Sequence, residues 1–344
     1  MTEPLPPGWL PARLNQGWTY SDRVNQAQSP VLISAFLAER YRHSEASLWR
    51  ARLQEGEILL NGRRLDGDGL LSAGDRLQWQ RPPWREEAVP ASWRLIHDDG
   101  DLYVIDKPSG LPVLPAGGFL EHTVLRLLER SFPDHGPDGG EAFPALPRPV
   151  HRLGRHTSGL LVCARRPQSR AWLSARLRDS TAELHPQGRP DVRSAPPAAA
   201  CCKVYRALTV PAPLELGLGE SLAITTPIGR RPHAGLGQIW AAAAGADDPE
   251  ALPAWSELRL LERRSQGHLV EVTIRTGRPH QIRIHLASVG IPLLGDPLYG
   301  PGGNPRPGAL PGDGGYRLHA HRLRLPLPAG GWLDLEAPAP GELC

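Results

Sequence analysis

In the stretch VHRLGRHTSG, residues 150–159, two histidines and two arginines crowd one glycine, Gly154, with no acid among them. His151, Arg152, Arg155 and His156 can grip an anion or exchange protons, but none of them supplies a carboxylate. The bias runs further. From Ala142 to Arg178 there is neither Asp nor Glu, while arginines stand at 148, 152, 155, 165, 166, 170, 176 and 178. Solvated faces usually mix both signs, so a one-sign stretch of this length favours a polyanionic partner, and guanidinium forks suit phosphate. The formal net charge is only +3 and lysine occurs only at 107 and 203, so the distribution carries this reading. His280 and His285, five apart, fall on different faces of a helix and do not make a metal pair; with Gln281 they are read as bonding across the core or reaching phosphates. Cys163, Cys201, Cys202 and Cys344 lack metal-site spacing, so no metal is expected. No GxSxG occurs, and nothing supports a hydrolase.

The elements that must position these groups follow from periodicity. The chain of 344 residues has room for one large domain or two to three small ones. It holds no apolar run of the roughly 20 residues a membrane helix needs and no secretory signal pattern, so a cytoplasmic location is expected. Residues 1–28 are Pro-rich and aperiodic, and read as an extended arm. Residues 29–82 form a compact pattern. VLISAFLAERY is amphipathic, with Leu32, Ala35, Phe36 and Tyr41 at helical spacing; Ser44 opens a second helix, which Gly56 closes. EILLNGRRL reads as strand, NG turn, strand, and GDRLQW as another strand. Arg40, Arg42, Arg50 and Arg52 are expected to gather on a phosphate-facing surface around the turn between the helices. Residues 83–93 read as a linker. From residue 94 to 340, short strands (LYVID, GLLVCAR, YRALTV, ELRLLER, HLVEVTIR, HRLRLPLP) alternate with helical patterns at 123–132, 168–178 and 280–289. This is an α+β domain around a largely antiparallel sheet, with surface insertions at 179–200 and 240–253.

Two resemblances sharpen the functional reading. The order helix, Ser, helix, EG, strand, NG, strand, GD, strand over 29–82 resembles the small RNA-binding module known from a small-subunit ribosomal protein, the S-four-like module. Four ordered segments of the larger domain, DLYVIDKPSGLPV, VHRLGRHTSGLLVCAR, KVYRALTV and TIRTGRPHQIRIHLASVGIPLLGDPLYG, resemble the RNA pseudouridine synthases of the large-ribosomal-subunit (RluA) type, and the tail YRLHAHRLRLPLP fits as well. Four motifs in order are far more specific than one.

The resemblance implies a cofactor-free isomerisation of uridine in rRNA or tRNA by a protein expected to act as a monomer. The C1′–N1 bond breaks, the uracil turns over and C5 bonds to C1′, which requires the base to leave its stack. By motif position, Tyr205 is the tyrosine that packs the base and Arg283 the partner of the family's aspartate. Arg152 would wedge into the gap the base leaves; Lys107, Arg155 and Arg278 would serve the RNA, with Lys107-Pro108 readable equally as a structural turn. The departure is Gly154, where the family's carboxylate belongs. The plain reading of that glycine is a turn requiring positive φ. Asp106 and Asp296 are the candidate substitute acids, each more simply a structural residue, and an anion or displaced Asp is expected beside Arg283. Retention of Tyr205, Arg152, Arg278 and Arg283 favours an active RNA pseudouridine synthase. Gly154 favours the alternative, a catalytically silent RNA-binding or ribosome-assembly protein on the same fold.

Overall fold

The computed structural model describes residues 6–26, 30–132, 145–179, 201–243, 248, 250–327 and 330–344. The chain divides into two units: residues 12–86 with 232–239, and residues 1–11, 87–231 and 240–344.

In the smaller unit, strand β1 (Trp18–Arg23) is followed by helices α1 (Ile33–Arg40) and α2 (Ala46–Gln54), then β2 (Ile58–Leu60), β3 (Arg63–Arg64) and β4 (Arg76–Arg81). The strands pair in the order β1-β4-β2-β3. The NG turn forms as expected: Asn61 and Gly62 both have positive φ, the geometry that joins two strands tightly. Gly56 ends the second helix with φ +75°. The helix begins one step later than expected, because Ser44 does not cap it. Its Oγ meets His43 Nδ1 at 2.7 Å and accepts from Arg52 Nη1 at 3.2 Å instead. On α1 the buried stripe is Ile33, Ser34, Phe36 and Leu37, one register away from the expected face, and Leu32 is exposed. These residues close over Trp49, Leu53, Ile58, Leu77 and Trp79. Each such fully buried large side chain contributes about 1.5–3 kcal/mol. The segment expected as an arm is structured within its described residues: β1 pairs along its length with β4, because Tyr20 stacks on Trp79, ring centroids 5.0 Å apart.

The larger unit is built on a ten-stranded sheet. Its principal elements are β5 (Arg94–Asp98), β6 (Leu102–Lys107), α3 (Val124–Ser131), β7 (Thr157–Ala164), α4 (Pro167–Asp179), β8 (Cys202–Leu208), β9 (Ser221–Ile224), β10 (Ser256–Arg264), β11 (Gly267–Ile274), α5 (Gln281–Ser288), β12 (Leu318–Pro326) and β13 (Trp332–Glu336). The strand order is β5-β6-β7-β12-β8-β11-β10-β9, with β13 on β12 and the short pair Arg148–Pro149 on β7. Each of these pairings is antiparallel except β7 with β12, which run parallel. β7 is buried at all eight positions, as its unbroken apolar run requires of a strand covered on both faces. Of the expected insertions, 179–200 lies outside the described residues apart from Asp179, the last residue of α4. The stretch 240–253 starts as strand, within Gly237–Ala242, and its residues 244–247 and 249 lie outside the described residues. No described helix is long and apolar enough to cross a membrane.

Candidate active site

The parallel pairing of β7 and β12 places the site. Thr157 registers with Leu318 and Gly159 with Ala320, so the residues entering the two strands arrive at the same end. Gly159, φ +100°, must be glycine: a Cβ would stand 2.7 Å from the Ala320 amide nitrogen and closer still to its carbonyl oxygen. Three residues before β7 stands Gly154, whose carbonyl accepts from the Thr157 amide at 3.0 Å and so closes a turn. Two residues before β12 stands Tyr316.

Gly154 is not held in the left-handed region, which corrects the expectation that its turn needs positive φ. What excludes a side chain is Tyr316. Its Oη occupies the place of a Cβ at 154, with Thr157 Oγ1 3.3 Å and Tyr316 Cζ 3.6 Å from that point. The hydroxyl also lies 3.2 Å from Thr157 Oγ1.

Arg283, on α5, lies over this tyrosine, its guanidinium carbon 4.3 Å from the ring centre. An acid does stand beside Arg283: Asp296 receives both arms of its fork at 2.7 Å. Both side chains are almost fully buried. Asp296 also accepts from the amides of Leu298 and Tyr299, at 2.9 and 3.3 Å, so it is at once the turn residue and the arginine's partner.

Gly154, Thr157, Arg283 and Tyr316 line a cleft of about 200 Å³. Tyr205 faces it from β8, packed against both main core clusters, and burial pushes its phenol up to about 12. Arg152, Lys203, Arg278, Arg283 and Arg322 supply positive charge, and no carboxylate is among the described lining residues. Lys203 Nζ donates to the Leu177 carbonyl at 2.6 Å, and burial lowers it to about 8. His151, whose Nε2 accepts from the Val162 amide at 3.0 Å, is held neutral, pushed by burial to about 3. The cleft is thus a positive slot with a base-sized aromatic wall and two phenols.

Not every expected site residue belongs to it. Arg152 and Arg278 do, Arg278 half-buried with its Nε on the Pro253 carbonyl at 3.0 Å. Lys107 is fully buried and spends its donors on the carbonyls of Pro108, Leu111 and Arg155 at 2.8, 2.8 and 3.1 Å. It holds the turn and does not serve RNA, because a side chain with no exposed surface reaches no phosphate. Arg155 is likewise committed, to Glu87 at 2.6 Å and to the face of Phe119. Asp106 lines a separate cavity of about 620 Å³, so it does not replace the missing acid in the cleft; burial raises its pKa. His280 and Gln281 line the cleft, whereas His285 does not; the three bond across the core, to Tyr299 at 2.7 Å, Thr276 at 2.6 Å and Ser256 at 2.8 Å.

In the smaller unit the four arginines do not gather. Residues 50 and 52 lie about 200° apart around a helix. Arg50 is exposed, whereas Arg52 is stacked over Trp49 and Trp79. Arg40 pairs with Asp22 at 2.9 Å and Arg42 is exposed. Sequence reasoning missed Tyr316, Lys203 and Arg322 as lining residues. Tyr316 opens the tail YRLHAHRLRLPLP, but nothing in that motif gave it a role, and it becomes legible once β7 and β12 are known to be parallel neighbours.

The family model for RNA pseudouridylate synthase matches residues 101–288. The chain belongs to this family of RNA-modifying isomerases. It is 42% identical over 311 residues to an RNA pseudouridine synthase of Synechocystis sp. described as uncharacterized, covering 90% of this chain and 94% of that one. It is 38% identical over 340 residues to RNA pseudouridine synthase 5 of Arabidopsis thaliana, covering 91% and 89%. A more distant relative, the ribosomal large subunit pseudouridine synthase D of Neisseria meningitidis, is 28% identical over 324 residues, covering 90% and 75%.

Proposed function

We propose that this chain converts uridine to pseudouridine within structured RNA, rRNA or tRNA, using the cleft between the 151–154 loop, Tyr205 and α5. One observation carries the reading: five cationic side chains and two phenols from distant segments converge on one cleft, with no acid among its described lining residues. Positive groups there draw the phosphates on either side of the target nucleotide, and Tyr205 offers a flat face for the extruded uracil. Arg152, exposed at the mouth, fills the stack the base vacates. Arg283, held by Asp296, forms part of the cleft's wall and lies over the Tyr316 ring. The smaller unit adds RNA contacts through exposed Arg42 and Arg50, which fits its likeness to a small RNA-binding module. The name of the Neisseria relative, a ribosomal large subunit enzyme, makes large-subunit rRNA the first substrate to test.

The test is to incubate purified protein with total RNA and map pseudouridine by mass spectrometry. New pseudouridine at one or a few sites, lost with Tyr205→Ala, which removes the ring the uracil lies on, is the expected result. No pseudouridine on any RNA, with tight RNA binding retained, would instead establish a second reading, a silent RNA-binding or assembly protein, which Gly154 favours.

A further inference from the structure

Breaking the C1′–N1 bond leaves the ribose C1′ short of electrons, and glycosyl chemistry meets that need with a nearby oxygen nucleophile or anion, a tyrosine in some glycosidases. The oxygen-bearing side chains among the described cleft residues are Thr157, Tyr205, Gln281 and Tyr316. Gln281 is spent: its amide serves Thr276, the Arg278 backbone, the Trp255 carbonyl and Ser256. An aliphatic hydroxyl such as that of Thr157 is the weaker acid and needs a base beside it to become a nucleophile. Tyr205 packs its ring into the core and presents the surface on which a uracil would lie.

Tyr316 differs from these in three respects. Its Oη sits where a side chain at 154 would begin, so the side chain, otherwise buried, meets the cleft beside exposed Gly154. The Arg283 guanidinium lies 4.3 Å from its ring centre, a placement that stabilises negative charge developing on the phenol oxygen. Thr157 Oγ1, 3.2 Å away, holds the hydroxyl in one direction.

We propose that Tyr316 is a catalytic residue of this chain, its Oη being the atom that bonds to ribose C1′ while the uracil is detached. The inference rests on the reading of the chain as a uridine isomerase. In the first half, the Oη–C1′ bond forms as C1′–N1 breaks; the electron pair of the broken bond leaves with the uracil, which takes the phenolic proton at N1. After the uracil turns, its C5 bonds to C1′, the Oη–C1′ bond breaks with its electrons returning to Oη, and the proton released from C5 restores the phenol. Every proton and electron pair is accounted for, with no co-reactant. Burial raises the Tyr316 pKa, so the phenol enters the reaction carrying the proton it must deliver.

The experiment is single-turnover conversion of a modified-site RNA by the full chain and by Tyr316→Phe, alongside RNA affinity and melting temperature. The expected result is a loss of about 100-fold or more in rate, with affinity within about threefold of the wild type. Wild-type activity with Tyr316→Phe within about threefold of it overturns this proposal and leaves the function standing. A wild type that makes no pseudouridine overturns both. Where Tyr316→Phe fails to fold, acid-quenched wild-type reactions decide: the peptide containing Tyr316 carrying ribose mass supports the proposal. The same peptide unmodified, or the mass on another residue, overturns it.

Discussion

Arg52 in the smaller unit and Arg283 in the larger one are both drawn into cages of aromatic rings, yet they are held by opposite means. Arg52 lies 4.4 and 4.8 Å from the ring centres of Trp49 and Trp79, and its carboxylate, Glu57, is 3.9 Å away. Arg283 lies 4.3 and 5.2 Å from Tyr316 and Tyr299, with Asp296 bound through both arms at 2.7 Å. Ring faces are the main hold on the first, a buried carboxylate on the second. A stacked arginine adds about 0.5–2 kcal/mol, whereas a buried ion pair that loses one partner costs about 3–5 kcal/mol. The difference teaches that counting aromatic neighbours does not say which arginine is structural: the geometry of its acid does.

The largest effect belongs to the carboxylate. Asp296→Asn leaves the Arg283 cation buried and unpaired, and should lower unfolding free energy by about 3–5 kcal/mol in urea titration; a loss below about 1 kcal/mol would put the two cages on the same footing. Next is the cage's outer wall. Gly154→Asp alone drives Tyr316 off its position and should cost about 1–3 kcal/mol by overpacking. Adding Tyr316→Phe should recover most of that, because the atom left behind, Cζ, is 3.6 Å from the new Cβ. Equal melting temperatures for the single and double variants would remove Tyr316 from the explanation of Gly154.

Acid should separate the two units. His285, fully buried on α5, is pushed by burial to about 4, below its ordinary 6.5. A depressed imidazole is neutral in both states above pH 6.5, so it costs nothing there. As pH falls from 6.5 towards 4 the unfolded chain takes the proton first and the fold loses stability. At pH 5 this one group costs about 2 kcal/mol. His151, His156 and His280, all in the larger unit, shift the same way, to about 3, about 4 and about 3. Hydrogen exchange at pH 7 and 5 should show α5 losing protection before the core of the smaller unit, and the reverse order would break the comparison. In His285→Asn the loss between the two pH values should shrink by about 2 kcal/mol. Smallest is the smaller unit's own ion pair: Glu57→Gln should cost less than about 1 kcal/mol. Arg42→Glu with Arg50→Glu should leave stability unchanged while flattening the slope of log affinity against log salt by about 0.9 for each phosphate that is no longer neutralised.

Much of this was legible from residue order. The strands LYVID, GLLVCAR, YRALTV and HLVEVTIR, the helices after Thr123 and around 281–288, and the NG turn all appear where periodicity and turn chemistry place them. Arg152, Tyr205, Arg278 and Arg283, which only the family resemblance singled out, line one cleft. What stayed hidden was decided by distant pairings. The acid-free arginine stretch is partly neutralised by acids from other segments: Arg165 by Asp98 at 2.7 Å, Arg155 by Glu87 at 2.6 Å and Arg148 by Glu129 at 3.8 Å. Lys107 reads equally as an RNA-facing cation or a turn residue until three carbonyls are seen to take its donors. Gly154 reads as a loss until its neighbour across the sheet is known. No local pattern encodes the meeting of a glycine with a hydroxyl from so distant a part of the chain.

β12 is the seam of the large sheet, and this fixes the order in which the molecule is completed. It stands between the half-sheet β5-β6-β7 and the half-sheet β8-β11-β10-β9, yet it starts at Leu318, after every strand of both. As a ribosome extrudes the chain, both halves emerge first, with the edges of β7 and β8 unpaired. Such edges invite wrong pairing until they are covered. The cleft does not exist in that interval, because Tyr316 and the strand behind it are still unsynthesised. The smaller unit's core residues between 24 and 79 are all translated long before. A nascent chain therefore passes through a stage in which exposed Arg42 and Arg50 are available and the chemistry is not.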